Sequence, residues 1–163
     1  ELSAALHAAG HALHNLPSLP HITVAGAVAT ATHGSGVGNG KLATAVRAIE
    51  LVTADGSLVR IDESDARFPG AVVGLGALGI VVRLDLEIEP TFTVAQTVYR
   101  DLPFAGGGAR LAEVLASAYS VSLFTTYHRL RSAERLGARQ KCLGVRRPDS
   151  LALCSALPIT RCS

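Results

Sequence analysis

His21-Ile-Thr-Val-Ala-Gly-Ala-Val-Ala-Thr-Ala-Thr-His-Gly-Ser-Gly-Val-Gly-Asn-Gly40 is a run in which nearly every side chain is small, hydroxylated or absent. From Ile22 to Gly40 it holds one imidazole and no formal charge. Glycine tolerates positive φ and close approach of another group, and successive exposed N–H groups can cradle an anion without a lysine. As such a cradle the segment acts through Thr23, Thr30, Thr32, Ser35 and the N–H groups between them. Composition alone equally describes a glycine-rich loop between two strands, with His21 fixing the start of one of them.

The flanks decide what kind of fold holds this run. Residues 48–54 and 57–61 are rich in Val, Leu and Ile and flank Asp55-Gly56, a pair suited to a two-residue hairpin turn. Residues 80–89 alternate: Ile80, Val82, Leu84, Leu86 and Ile88 fall on one face, and Val81, Arg83, Asp85, Glu87 and Glu89 on the other. That pattern predicts a strand with one buried and one wetted side. Residues 64–70 offer a short capped helix, and Gly74-Leu-Gly-Ala-Leu-Gly79 is a second small-residue segment running straight into the strand. Leu2, Ala5, Leu6, Ala9 and Leu13 sit at helical spacing and predict a helix over 2–13, stopped by Pro17 and Pro20. A further helix is expected over 109–119, where Leu111, Val114, Leu115 and Ala118 share a side. The class is α+β, an antiparallel or mixed sheet with flanking helices.

Two common nucleotide motifs are excluded. A Rossmann site needs Gly-x-Gly-x-x-Gly after a strand and opening a helix. Residues 34–40 have the wrong glycine spacing, and residues 74–79, which have the right one, open a strand. No Gly-Lys-Ser or Gly-Lys-Thr follows a glycine cluster, which removes the P-loop.

With 163 residues, 48% of them hydrophobic, the chain suits one domain with a buried core. No run approaches the roughly eighteen apolar residues of a membrane span, and no basic-then-apolar leader opens the chain, so the expectation is a cytoplasmic protein without a membrane partner. Charge is uneven: residues 1–127 hold 7 Lys/Arg and 11 Asp/Glu, net −4, whereas 128–163 hold 8 and 2, net +6. Cys142, Cys154 and Cys162 also lie in that last stretch, at spacings that fit neither a zinc pair nor a redox pair. Periodicity fades there while Arg129, Arg131, Arg135, Arg139, Lys141, Arg146 and Arg147 arrive without an aromatic residue. A basic tail can bind phosphate-rich partners; the reading taken is instead a segment that is disordered or out of frame with the domain, and no nucleic acid partner.

The segments Leu16-Pro-Ser-Leu-Pro-His-Ile-Thr-Val-Ala-Gly-Ala-Val-Ala-Thr-Ala-Thr-His-Gly-Ser-Gly36, Glu50-Leu-Val-Thr-Ala-Asp-Gly56 and Leu75-Gly-Ala-Leu-Gly-Ile-Val81 agree in order and spacing with one family. They resemble the second half of the PCMH-type FAD-binding domain of the vanillyl-alcohol oxidase superfamily, and above all its bacterial alditol (xylitol) oxidases, relatives of the sugar-lactone oxidases. The likeness runs from about residue 2 to about Tyr127. It implies residues 1–104 as the C-terminal part of the FAD-binding domain, 105–127 as the start of a substrate (cap) domain, and 128–163 as the atypical basic tail.

The resemblance further implies FAD as cofactor, with Ser18, Thr23, Gly26, Thr30, Ala31, Thr32 and His33 lining it and Gly79, Ile80 and Val81 at its adenosine end. Ser18 would also face the substrate, a polyol, with O2 as the second partner. The implied reaction oxidises the primary hydroxyl of an alditol to an aldehyde and releases hydrogen peroxide. A lactone oxidase or a non-catalytic, truncated chain with a binding role are the alternatives. The resemblance also expects the subdomain bearing the flavin-linked histidine, and the substrate-binding residues, to lie outside this stretch; it assigns no catalytic residue here. His33 is read as shaping the loop or meeting a phosphate. His7, His11 and His14 recur at helical spacing, and a solvated helix face is preferred over a metal site for them.

Overall fold

The computed structural model describes residues 1–19, 21–100, 108–124, 141–146 and 160–161. They fall into two compact units, the first from 1–34 and 40–91, the second from 35–39 and the described residues from 92 onward. All described strand pairs are antiparallel, in keeping with the expected α+β class.

In the first unit, α1 (Leu2–Ala8) is shorter than the predicted 2–13. Gly10 takes φ +78°, which ends the helix, and β1 (His11–Ala12) then pairs with β5 (Glu89–Pro90). His7 remains on the helix, where Nδ1 meets Thr91 Oγ1 at 3.1 Å, while His11 is in a strand and His14 in a loop. The three histidines therefore share no helix face, and no cluster of metal-binding side chains occurs among the described residues.

The opening run is not a strand-flanking loop throughout: it begins with α2 (Val24–Ala29). Thr23 starts that helix, its Oγ1 accepting from Gly26 N at 3.1 Å, and Ala27 and Val28 are buried. His21 accordingly precedes a helix, where a strand was expected. The chain returns through a short 3-10 turn, Leu42–Ala45, into β2 (Val46–Val52).

The hairpin of β2 and β3 (Leu58–Asp62) forms where expected, its strands displaced from 48–54 and 57–61 by two residues and one, with Val52 opposite Leu58. Its loop is Ala54-Asp55-Gly56, one residue longer than predicted. Thr53 N donates to Ser57 O at 3.0 Å, Gly56 N to Thr53 O at 2.9 Å, and Gly56 stands at φ +82°. A turn followed by one left-handed glycine is the usual three-residue hairpin. Asp55 braces it by accepting from Thr53 Oγ1 at 2.5 Å and Ser57 N at 3.1 Å, which lowers its pKa, the Thr53 bond most of all.

After α3 (Phe68–Val72), which starts later than the predicted 64–70, β4 (Ile80–Leu86) completes the sheet in the order β3-β2-β4. Its alternation is not the one expected. The register skips Val82, so Glu50 faces Arg83 and Leu51 faces Val81. A bulge inserts one residue and reverses every side chain beyond it. Val81, Leu84 and Leu86 thus reach the core with Ile49, Leu51, Val46, Leu13, Val28 and Val72, and Ile80 and Val82 are left 73% and 55% exposed. On the wetted face Arg60 donates to Glu50 at 3.1 Å and Asp85 at 2.7 Å, and this bond from Arg60 is the main reason the Asp85 carboxyl lies below its usual range.

The second unit holds β6 (Ala95–Arg100), α4 (Gly108–Ala116), β7 (Ser120–Phe124), β8 (Lys141–Arg146) and β9 (Thr160–Arg161), with sheet order β7-β8-β6-β9. The helix agrees with the periodicity read over 109–119; Val114 and Val121 form its small core, with Leu115, Ala118 and Leu123 packed on them. Asn39 joins this unit, its Nδ2 donating to Ser35 O at 3.0 Å and Tyr119 O at 2.9 Å. The expected boundary at 104/105, the arginines Arg129, Arg131, Arg135, Arg139 and Arg147, and Cys154 and Cys162 lie outside the described residues. No helix among the described residues is long and apolar enough to cross a membrane.

Candidate functional site

The residues from Thr23 to Thr32 form one capped helical unit. Beyond α2, Ala31 N donates to Val28 O at 3.1 Å and Thr32 N to Ala27 O at 2.9 Å. These are the paired bonds of a Schellman C-cap, whose left-handed position is normally glycine. Here it is Ala31, at φ +54°. A left-handed alanine costs about 1 kcal/mol against glycine, and such strain gathers at functional sites.

The hydroxyls divide their work. Thr30 Oγ1 donates to Gly26 O at 2.8 Å and lies 2.9 Å from Thr32 Oγ1. With the Thr30 proton committed to the carbonyl, Thr32 is the donor of that pair. Thr23 Oγ1 only accepts, from Gly26 N, so of the three threonines it keeps a proton to offer. Thr23, Gly26, Thr30 and His33 are exposed, and Ala31 and Thr32 half-buried. His33 Nδ1 meets the Gly34 carbonyl at 2.8 Å, which makes Nδ1 the protonated nitrogen and leaves Nε2 an acceptor in the neutral ring.

The second small-residue segment closes on the first. Leu75 N donates to Ala29 O at 3.1 Å. Gly79 stands at φ +143°, and a Cβ there would collide with the Val52 carbonyl oxygen. Between the segments lies a small, open depression lined by Ala25, Val28 and Ala29 of α2, by Gly74, Gly76, Leu78, Gly79 and Val81, and by core residues beneath. Its lining carries no charged side chain.

The structure thus gathers Gly79 and Val81 at one depression and Thr23, Gly26, Thr30, Ala31 and Thr32 around one helix. Ile80 points to solvent, and Ser18, exposed in the loop before α2, does not line the depression. Ala25, Val28, Ala29 and Leu78 are lining residues that sequence reasoning missed. The Thr23 cap followed by the apolar run 24–29 was the available signal. The ensemble fits FAD: an uncharged, small-walled depression suits an aromatic ring, and the exposed threonines at the two ends of α2 suit a polar ribose or phosphate.

Residues 1–62 match the family model described as "FAD binding domain". The chain is 57% identical over 127 residues to alditol oxidase of Streptomyces sp. (strain IKD472 / FERM P-14339), an alignment that takes in 78% of this chain and 30% of that protein. It is 37% identical over 92 residues to L-gulonolactone oxidase of Mus musculus, covering 55% of this chain and 21% of that one. In structure it matches a solvent-stable cholesterol oxidase with a TM-score of 0.71 at 19% identity, over 89% of this chain and 30% of that one, a likeness in fold alone.

The α+β fold and the family-model match over residues 1–62 together mark part of an FAD-binding domain. Residues 1–62 carry the FAD-binding domain that the family model describes, alditol oxidase is among the proteins the chain resembles, and its cofactor is FAD. The chain spans 30% or less of the length of the two curated relatives named above.

Proposed function

We propose that this chain supplies FAD-holding residues of an alditol oxidase, which oxidises the primary hydroxyl of a xylitol- or sorbitol-type polyol to an aldehyde while O2 is reduced to hydrogen peroxide. The observation that carries the reading is the 57% identity to alditol oxidase over 127 residues. FAD, when bound, would supply the two-electron acceptor. The residues of the chain bind and orient.

In this reading Thr23, Gly26, Thr30, Ala31, Thr32 and His33 run along the cofactor, with Thr23 offering its free O–H to an acceptor oxygen. Gly79, Ile80 and Val81 hold the adenosine end, supported by the uncharged depression that Gly79 and Val81 share with α2. Ser18 meets both flavin and substrate, its hydroxyl able to donate and accept toward a polyol. A sugar-lactone oxidase is the second reading, favoured by the 37% identity to L-gulonolactone oxidase.

The test is titration with FAD, followed by flavin fluorescence quenching, and then peroxide formation with xylitol, sorbitol and an aldonolactone, carried out on this chain together with the flavin-histidine subdomain and the substrate-binding part that the resemblance expects outside it. Saturable quenching and peroxide from the polyols are expected. Peroxide from the lactone alone moves the assignment to the second reading, and a quenching unaffected by substitution of Thr23 and Gly79 overturns the claim that these residues hold the cofactor.

A further inference from the structure

We infer that Gly34 is a positioning residue for Ser18, an inference that rests on the reading of Ser18 as a substrate contact. Gly34 is not in the left-handed region, so its backbone asks nothing of glycine; the demand is for space. A Cβ on Gly34 would collide with the carbonyl oxygen of Leu16 and lie within contact of both side-chain amide atoms of Asn15. Neither neighbour can yield freely. The Leu16 oxygen is backbone, and Asn15 Oδ1 is engaged by Leu16 N at 3.0 Å.

The loop is also held at its base, where Leu13 is buried and His14 Nε2 donates to Gly40 O at 3.3 Å. Between the Leu16 carbonyl and Ser18 stands only Pro17, whose ring fixes φ. A displaced Leu16 peptide plane leaves residue 17 only ψ with which to absorb it, and what ψ does not absorb is passed on to Ser18. The missing methyl of Gly34 sets the seat on which the Ser18 loop rests, beside the His33 turn of the flavin segment.

The experiment compares the wild type with G34A and S18A. In the oxidase that carries this chain together with the parts the resemblance expects outside it, backbone hydrogen exchange of residues 13–19, 24–29 and 46–52 is followed by mass spectrometry, FAD affinity by fluorescence quenching, and KM for xylitol by peroxide release. For G34A the expected result is exchange at least about tenfold faster in 13–19 alone, an FAD affinity altered no more than that of S18A, and a KM raised about tenfold in the same sense as S18A. Unchanged exchange in 13–19, or faster exchange spread equally through α2 and β2 with weakened FAD binding, overturns the inference. A disturbed 13–19 loop in G34A beside a wild-type KM in S18A discards the Ser18 reading and leaves the seat itself in place. Should G34A fail to fold, N15A removes the brace on Leu16 from the other side, and the same local increase in exchange is expected.

Discussion

Thr32 N donates to the carbonyl oxygen of Ala27 at 2.9 Å, across an alanine held at φ +54°. A bond pair that closes a helix in this way asks for glycine at the position Ala31 occupies. Replacing Ala31 by Gly relieves the left-handed strain and adds some unfolded-state entropy, so A31G should stabilise the protein by up to about 1 kcal/mol. Urea unfolding monitored by circular dichroism checks this; a destabilised A31G would mean that the methyl group is held by packing that outweighs the strain.

At the other small-residue segment the demand for glycine is met. Gly79 combines φ +143° with a Cβ direction that points at the Val52 carbonyl. G79A must therefore move either the start of β4 or the end of β2, and a cost of about 2 kcal/mol or more is expected from strain and displacement together. Because Gly79 also lines the depression beside α2, FAD affinity should fall with it. Thermal unfolding and FAD titration of the same variant test both halves, and a G79A with wild-type melting would show that the Val52 carbonyl yields without cost.

Much of the fold could be read directly. The hairpin over 46–62 and the helix at 108–116 follow from local period and turn chemistry, which act within a few residues. What escaped reading depends on events that composition hides. Gly10 ends α1 by adopting a positive φ, a choice that becomes worthwhile only because His11–Ala12 find Glu89–Pro90, about eighty positions away, to pair with. Val82 alternates perfectly in sequence and yet is skipped by the ladder, because the bulge is settled by pairing with β2. In the site, Thr23 and Thr30 could be named as hydroxyl donors, but their division into one free and one committed proton needs the position of the Gly26 carbonyl and amide.

The bulge makes a paired prediction. If Val82 is the skipped residue, V82A should change stability by no more than about 0.5 kcal/mol, whereas V81A, which withdraws two methyl groups from the core, should cost about 1–2 kcal/mol. Ile49, 2% exposed at the centre of the same core, sets the scale: I49A should cost about 2–5 kcal/mol. The order I49A, V81A, V82A is checked by urea midpoints, and a V82A costlier than V81A would restore the simple alternation.

Acid should act through the Asp65 turn. Arg67 donates to Asp65 Oδ2 through Nη2 at 2.6 Å and to Oδ1 through its backbone N at 2.8 Å, and these bonds, the side-chain ones foremost, lower the Asp65 pKa from the usual 3.8 to about 2. A carboxyl whose folded pKa lies below its unfolded value stabilises the fold fully above the unfolded value and loses that contribution as pH falls through the folded one. The window is thus from near pH 4 down to about pH 2, and Asp55, Asp62 and Asp85, lowered in the same direction, add to the same side. D65N keeps an acceptor oxygen but has no proton to take up there, so its loss of stability between those pH values should be shallower than that of the wild type, while the two converge at the acid end. Melting temperatures measured at intervals from pH 6 to about pH 2 decide it. Parallel curves for D65N and wild type would mean that Asp65 is as easily protonated in the folded chain as in the unfolded one, and that the Arg67 bonds do not survive in solution.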